Sequence, residues 1–156
     1  MTQQLVVGGY LIDYANIYQV TSLTAPGSAA DTVVHYRPIK GTDKVFTESV
    51  PLKMLSKSGL RPLITASEIE VLYQSLKTNS DDYSYLTLTA KDEIFQNSPL
   101  RLAPLLKYLW KNGDQLPKTD QDLKATMFNH LVMEIAFVSQ KPPSEVRNQL
   151  ETALNL

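Results

Sequence analysis

The chain has 156 residues, 43% of them apolar, and its fifteen Lys and Arg against sixteen Asp and Glu leave a formal charge of -1. That suits one ordinary domain or two small ones with enough apolar material for cores, and it supplies no whole-molecule field to draw in a polyanion. The absence of cysteine excludes disulfides, thiolate zinc sites, iron–sulfur clusters and cysteine nucleophiles.

From Gln4 to Val50 the sequence is rich in Val, Ile, Tyr and Thr, with turn residues at short intervals, a pattern of short antiparallel strands. The expected strands are Gln4 to Val7, Tyr10 to Tyr14, Ile17 to Leu23, Thr32 to Ile39 and Lys44 to Ser49, enough for a small curled barrel of the SH3 or Tudor kind. After Val50-Pro51 the period changes to 3.6. Thr65 followed by Glu68 predicts a capped helix with Ile69, Leu72, Tyr73 and Leu76 inside. Thr89 to Asp92 opens a short helix carrying Ile94 and Phe95. Pro99 fits the first turn of the next, with Leu102, Leu105, Leu106, Leu109 and Trp110 as its stripe, Pro104 tolerated early in it, and Gly113 as its stop. Thr119 is expected to cap the longest helix, which Pro142-Pro143 end, and Ser144 to cap a last one with Val146, Leu150 and Leu154. The reading is α+β: a small N-terminal Tudor/SH3-like five-stranded β module over 1–60, followed by an all-α helical bundle over 61–156.

Chemistry-bearing motifs are sparse. His35 and His130 have no second ligand at metal-binding spacing, and both read as structural. Asp81 and Asp82 are adjacent in a polar loop and point apart, so they read as solvated rather than as a catalytic pair. Glu134, embedded in an apolar run, is the carboxylate expected to be buried and tied to a backbone N–H or a basic partner. Gly8-Gly9 lacks the spacing and the following helix of a phosphate cradle. No enzyme, no metal site and no cofactor is expected. On the surface, Lys107 and Lys111 lie four apart on one helix face, where Arg101, Lys118 and Lys124 join them if the bundle folds favourably. Tyr83 and Tyr85 sit in or beside the polar loop after Leu76, available to insert between bases or against a partner. The start of the chain has no basic n-region, and nothing approaches the roughly 18 consecutive apolar residues a membrane span needs, so a cytoplasmic protein without membrane contact is expected.

Three stretches carry a resemblance. VPLKMLSKSGLRPLITASEIEVLYQSL, from Val50 to Leu76, resembles the joint between the two domains of the CarD/CdnL family of bacterial transcription regulators, with its Val-Pro and Gly-Leu-Arg steps. LAPLLKYLWKNGDQ, Leu102 to Gln115, is similar to that family's helix ending in a Leu-Trp pair, and LVMEIAFV, Leu131 to Val138, to its closing helix. Length and order agree over nearly the whole chain.

The resemblance implies a monomeric, non-enzymatic factor whose N-terminal module, shared with the transcription-repair coupling factor, adds an edge strand to the β subunit of RNA polymerase. The docking strands then run from Thr32 to Ser49, with Thr32, Val34, Tyr36, Lys44, Phe46 and Ser49 as contacts. It implies that the helical module lies on promoter DNA and stabilises the open complex, with Tyr83 or Tyr85 as the wedge and Arg101, Lys107 and Lys111 at phosphates. Two departures bear on this. The family's wedge tryptophan and the cations after it are replaced by Tyr83-Ser84-Tyr85, and Trp110 answers to a helix-internal position. Residues 77–156 carry nine basic and ten acidic side chains, so DNA binding is expected to be weak and dependent on polymerase. The alternative is a protein–protein adaptor of the same fold with little or no DNA binding.

Overall fold

The computed structural model describes residues 5–13, 16–40, 46–78 and 98–156. It divides into two compact units, Met1–Leu63 and Ile64–Leu156.

The first unit is a five-stranded antiparallel sheet curled into a half-barrel, built from β1 (Tyr10–Asp13), β2 (Asn16–Thr24), β3 (Val33–Pro38), β4 (Glu48–Pro51) and β5 (Arg61–Pro62), in the order β4-β3-β2-β1-β5. Cross-strand partners share a face, and the register stacks Leu11 on Tyr18, Val20 on Tyr36, and Val34 on Val50. That face is the core, with Leu60 completing it. A bulge between Val20 and Ser22 shifts the register by one residue, so that Val20 and, three positions on, Leu23 both face inward. Bulges of this kind also increase the local twist that curls a sheet.

Two strand expectations are corrected. Leu5 to Val7 is irregular and enters a turn at Gly8 (φ +84°), after which the pair Gly8 N to Val20 O (2.8 Å) and Val20 N to Gly9 O (2.9 Å) ties the chain to β2. The fifth strand is β5, pairing Pro62 with Leu11 and Arg61 with Ile12. Two residues are too few to show an alternation, and a proline is accepted there because β5 is an edge. The sheet therefore reaches beyond residue 60, and β4 includes Val50 and Pro51. A short 3₁₀ segment, Leu52–Lys57, follows it.

The second unit holds four described helices: α1 (Ala66–Lys77), α2 (Pro99–Lys111), α3 (Lys118–Ser139) and α4 (Pro143–Leu154). Thr65 and Glu68 form the reciprocal capping box, and Ser98 caps α2 with Pro99 in its first turn. Pro104 lies inside α2 without ending it. The expected caps Thr119 and Ser144 are displaced: α3 starts after Pro117 and α4 after Pro142, neither with a side-chain cap. Proline outcompetes the hydroxyl residue behind it because its fixed φ already suits a helix start. α3 ends at Gln140, whose left-handed backbone (φ 56°) turns the following Lys141 N–H back onto Ala136 O at 3.2 Å. The expected helix at Thr89 lies outside the described residues.

Leu72, Leu76, Leu105, Leu109, Ile135, Val146 and Leu150 form the centre of one core. Trp110 is half-buried against it, its ring 5.1 Å from that of Phe128 and its Nε1–H donating to Asn155 Oδ1 at 2.9 Å. No described helix is long and apolar enough to cross a membrane.

Candidate functional site

Among the described residues, the strand order leaves β4 with a partner on one side only. Leu52 N donates to Thr32 O at 2.8 Å, which fixes the phase of the β3–β4 ladder. Counting back by twos, Val50 and Glu48 direct their backbone groups at β3, whereas Ser49 directs its N–H and C=O away from the sheet. Pro51 has the same outward phase and has no N–H to offer. The free edge of β4 thus presents one complete donor–acceptor pair, at Ser49, followed by a lone carbonyl. Exposed apolar side chains flank it: Phe46 (63% exposed) before the strand, Leu52 and Met54 (41% each) after it. Exposed apolar groups beside unpaired backbone mark a surface suited to a partner.

Toward one end of the inner face the core turns polar. Asp13 is two residues beyond Leu11, Tyr18 is paired with Leu11, and Glu48 is paired with Tyr36 and two residues from Val50, so all four polar side chains share the face. Tyr18 and Tyr36 meet edge to face with centroids 5.4 Å apart. Burial, the hydrogen bond that Tyr36 donates to the Glu48 carboxylate, and the nearby negative charge push the Tyr36 phenol up to about 12. Burial and then the Glu48 charge raise Asp13 above the usual aspartate value, and burial and the same two acids raise Tyr18.

The other polar groups of this unit are turned elsewhere. His35 faces away from the core, where its Nε2 meets Thr24 Oγ1 at 2.9 Å. Arg37, on the same outer face, donates from Nη2 to Gln19 Oε1 at 3.4 Å.

Among the expected polymerase contacts, Ser49 and Phe46 lie on this edge. Thr32 is next to it, its Oγ1 donating to Ala29 O at 2.7 Å. Val34 (0% exposed) and Tyr36 (7%) belong to β3, which is paired on both sides, so their backbone is not open to an added strand. Lys44 lies outside the described residues, as do Tyr83 and Tyr85 on the DNA side. Arg101 and Lys111 are exposed at opposite ends of α2, roughly 15 Å apart along the axis and turned by about 80°.

Lys107 requires a correction. It is 5% exposed, and its Nζ donates to Leu154 O at 2.8 Å, capping the last turn of α4. The structure therefore does not bring the three α2 cations together. The available signal was spacing: Lys107 follows the buried Ala103 by four residues and precedes Trp110 by three, which puts it on a packed side of a helix buried over most of its circumference.

Glu134 is 2% exposed and accepts from Ile64 N at 2.8 Å, the backbone tie its surroundings suggested. Burial holds His130 below the usual imidazole value, partly opposed by the Glu134 charge.

A groove of about 600 Å³ between α1 and α4, lined by Ile69, Tyr73, Lys141, Glu145 and Gln149, was not foreseen. Two of its polar pairs engage each other: Lys141 Nζ lies 2.9 Å from Glu145 Oε1, and Tyr73 Oη donates to Gln149 Oε1 at 3.4 Å. Among the described residues no three His, Asp or Glu side chains converge as a metal site. Compared with known proteins, the chain matches no family model and no curated protein.

Proposed function

We propose that this chain is a CarD-like transcription regulator that binds the β subunit of RNA polymerase by accepting a strand on the free edge of β4. The observation that carries the reading is the outward backbone of Ser49 on a terminal strand bordered by Phe46, Leu52 and Met54. Strand addition draws affinity from main-chain hydrogen bonds and specificity from alternate side chains, so a short edge suffices when the partner extends it. In this reading the protein is a cytoplasmic, cofactor-free monomer. Its helical unit meets opened promoter DNA through Arg101 and Lys111, with Tyr83 or Tyr85 as the wedge. A contact made only with opened DNA shifts the promoter equilibrium by its differential energy.

The adaptor reading gains from one observation. With Lys107 consumed at the end of α4, a half already slightly acidic has one cation fewer for phosphates.

Two measurements separate the readings. Ser49→Pro removes the outward N–H while leaving the bonds to β3 in place, and it is expected to weaken binding of the full chain to RNA polymerase at least about tenfold. Wild-type affinity for polymerase in that variant sinks strand addition at β4. Binding of the full chain to forked promoter DNA, falling steeply with salt, supports the transcription factor, and no binding at low salt supports the adaptor.

A further inference from the structure

The edge strand also constrains what it accepts. A strand added antiparallel to β4, the pairing every described ladder of this sheet uses, forms its hydrogen-bonded pair with Ser49. Its neighbours on either side of that residue then stand opposite Val50 and Glu48, on the inner face. The Val50 position is apolar and continuous with the core. At the Glu48 position the incoming side chain stands opposite Glu48, behind which Tyr36 and Tyr18 meet edge to face, and the Glu48 charge is felt at Asp13 on the same face. No cation from β1 to β4 balances these acids: the only Lys or Arg in those strands, Arg37, points to the opposite face.

Resting on the reading that β4 accepts a strand, we propose that the strand it selects reads, from N to C, an apolar residue, any residue, then lysine or arginine, with the cation opposite Glu48 at the end of the inner face that also carries Asp13, Tyr36 and Tyr18. Charge complementarity supports this choice. Two like charges on one face favour a cation beside them. The Glu48 carboxylate is held by the Tyr36 hydroxyl and keeps free lone pairs for a second donor. Burial, and after it the Glu48 charge, raises the Asp13 carboxyl. An acidic residue at the same position of the partner strand adds a third negative charge and is disfavoured.

The test uses the full chain, labelled with ¹⁵N, and two capped peptides that differ at one position: Ser-Thr-Val-Thr-Val-Thr-Lys-Thr-Ser and the same sequence with Glu in place of Lys. Both are titrated at low salt while the Ser49 and Glu48 amide resonances are followed. The lysine peptide is expected to move both resonances and to bind about fivefold more tightly than the glutamate peptide. In the double variant Glu48→Gln, Asp13→Asn that preference is expected to fall below about twofold while the Ser49 shift persists. Equal affinities for the two peptides, with Ser49 still shifted, overturn the basic-residue rule and leave strand addition standing. Failure of both peptides to move the Ser49 resonance overturns strand addition and the rule with it.

Discussion

The two units dispose of their polar groups in opposite ways. In the helical unit, the Lys107 ammonium is bonded to Leu154 O, the Glu134 carboxylate to Ile64 N, and the Trp110 indole N–H to Asn155. In the β unit, the Ser49 backbone and Glu48 lie at an edge where pairing runs out. The helical unit holds the residue types usually associated with nucleic-acid contact, yet its most central cation is part of its own packing. In the β unit, Glu48 stands on the one kind of surface that a sheet cannot complete by itself. Counting charged residues along a chain therefore says little about interaction until it is known which of them the fold has already used.

The strongest way to break this contrast is at Glu134. Glu134→Leu leaves Ile64 N–H buried without its acceptor, and a destabilisation of about 3 kcal/mol is expected. Trp110 is the only tryptophan and lies in the helical unit, so denaturant unfolding followed by its fluorescence reads this unit directly. The same variant carries an electrostatic signature. The Glu134 charge opposes the lowering of His130 by burial, so removing it is expected to lower the imidazole pKa further, measurable by NMR titration. An imidazole held below 6.5 in the fold favours the unfolded chain as pH falls from 6.5 through the folded value, and the variant should widen that window of acid sensitivity. A stable Glu134→Leu protein with unmoved His130 removes the tie from the account.

Lys107 gives a smaller effect and a sharper discrimination. Lys107→Met keeps the stem's packing but leaves Leu154 O without its donor, and a loss of about 1–2 kcal/mol is expected. Affinity for forked promoter DNA should be unchanged, because the ammonium is not at the surface. The reverse outcome, unchanged stability with weakened DNA binding, returns Lys107 to the surface role that its spacing from Lys111 suggests. Lys118 provides the control within the same unit: its pair with Asp122 is 82% and 60% exposed, where ion pairs contribute little.

These residues also show what was legible without coordinates. The change from short strands to helical period comes after β5 and not at Val50-Pro51, but it was readable because side-chain periodicity records which face is buried. For the same reason Ile69, Leu72 and Leu76 were placed correctly in α1. The capping box was readable because Thr65 and Glu68 are only three residues apart. β5 was not, since two residues leave no alternation and its pairing with β1 spans about fifty positions of sequence. Nor was the edge readable: which strand ends the sheet depends on pairings that composition does not encode. Val34 and Tyr36 fall in the expected strand, but that strand lies inside the sheet and not at its open edge. Lys107 was misjudged because a spacing of four shows that two side chains share a helix face, not whether that face is covered.

The last distinction between the units is their response to alkali. The Tyr36 phenol is pushed up to about 12, first by burial and then by the hydrogen bond and charge of Glu48, against an ordinary value of 10.0. Below pH 10 the phenol is neutral folded or unfolded and contributes nothing to the pH dependence. Between pH 10 and about 12 the unfolded chain ionises first, so stability falls as pH rises, reaching a loss of roughly 2 kcal/mol once the folded value is passed. Tyr36→Phe keeps the ring against Tyr18, removes this ionisation, and is expected to flatten the loss over that window. The measurement is denaturant unfolding at a series of pH values, with tyrosinate absorbance identifying which phenols have titrated. Tyr18, also raised by burial and the same acids, should account for the residual slope. If Tyr36→Phe loses stability as steeply as the parent protein, the Tyr36 hydroxyl is not held by Glu48. The anchored carboxylate that would receive a cation at the edge of β4 then has no anchor.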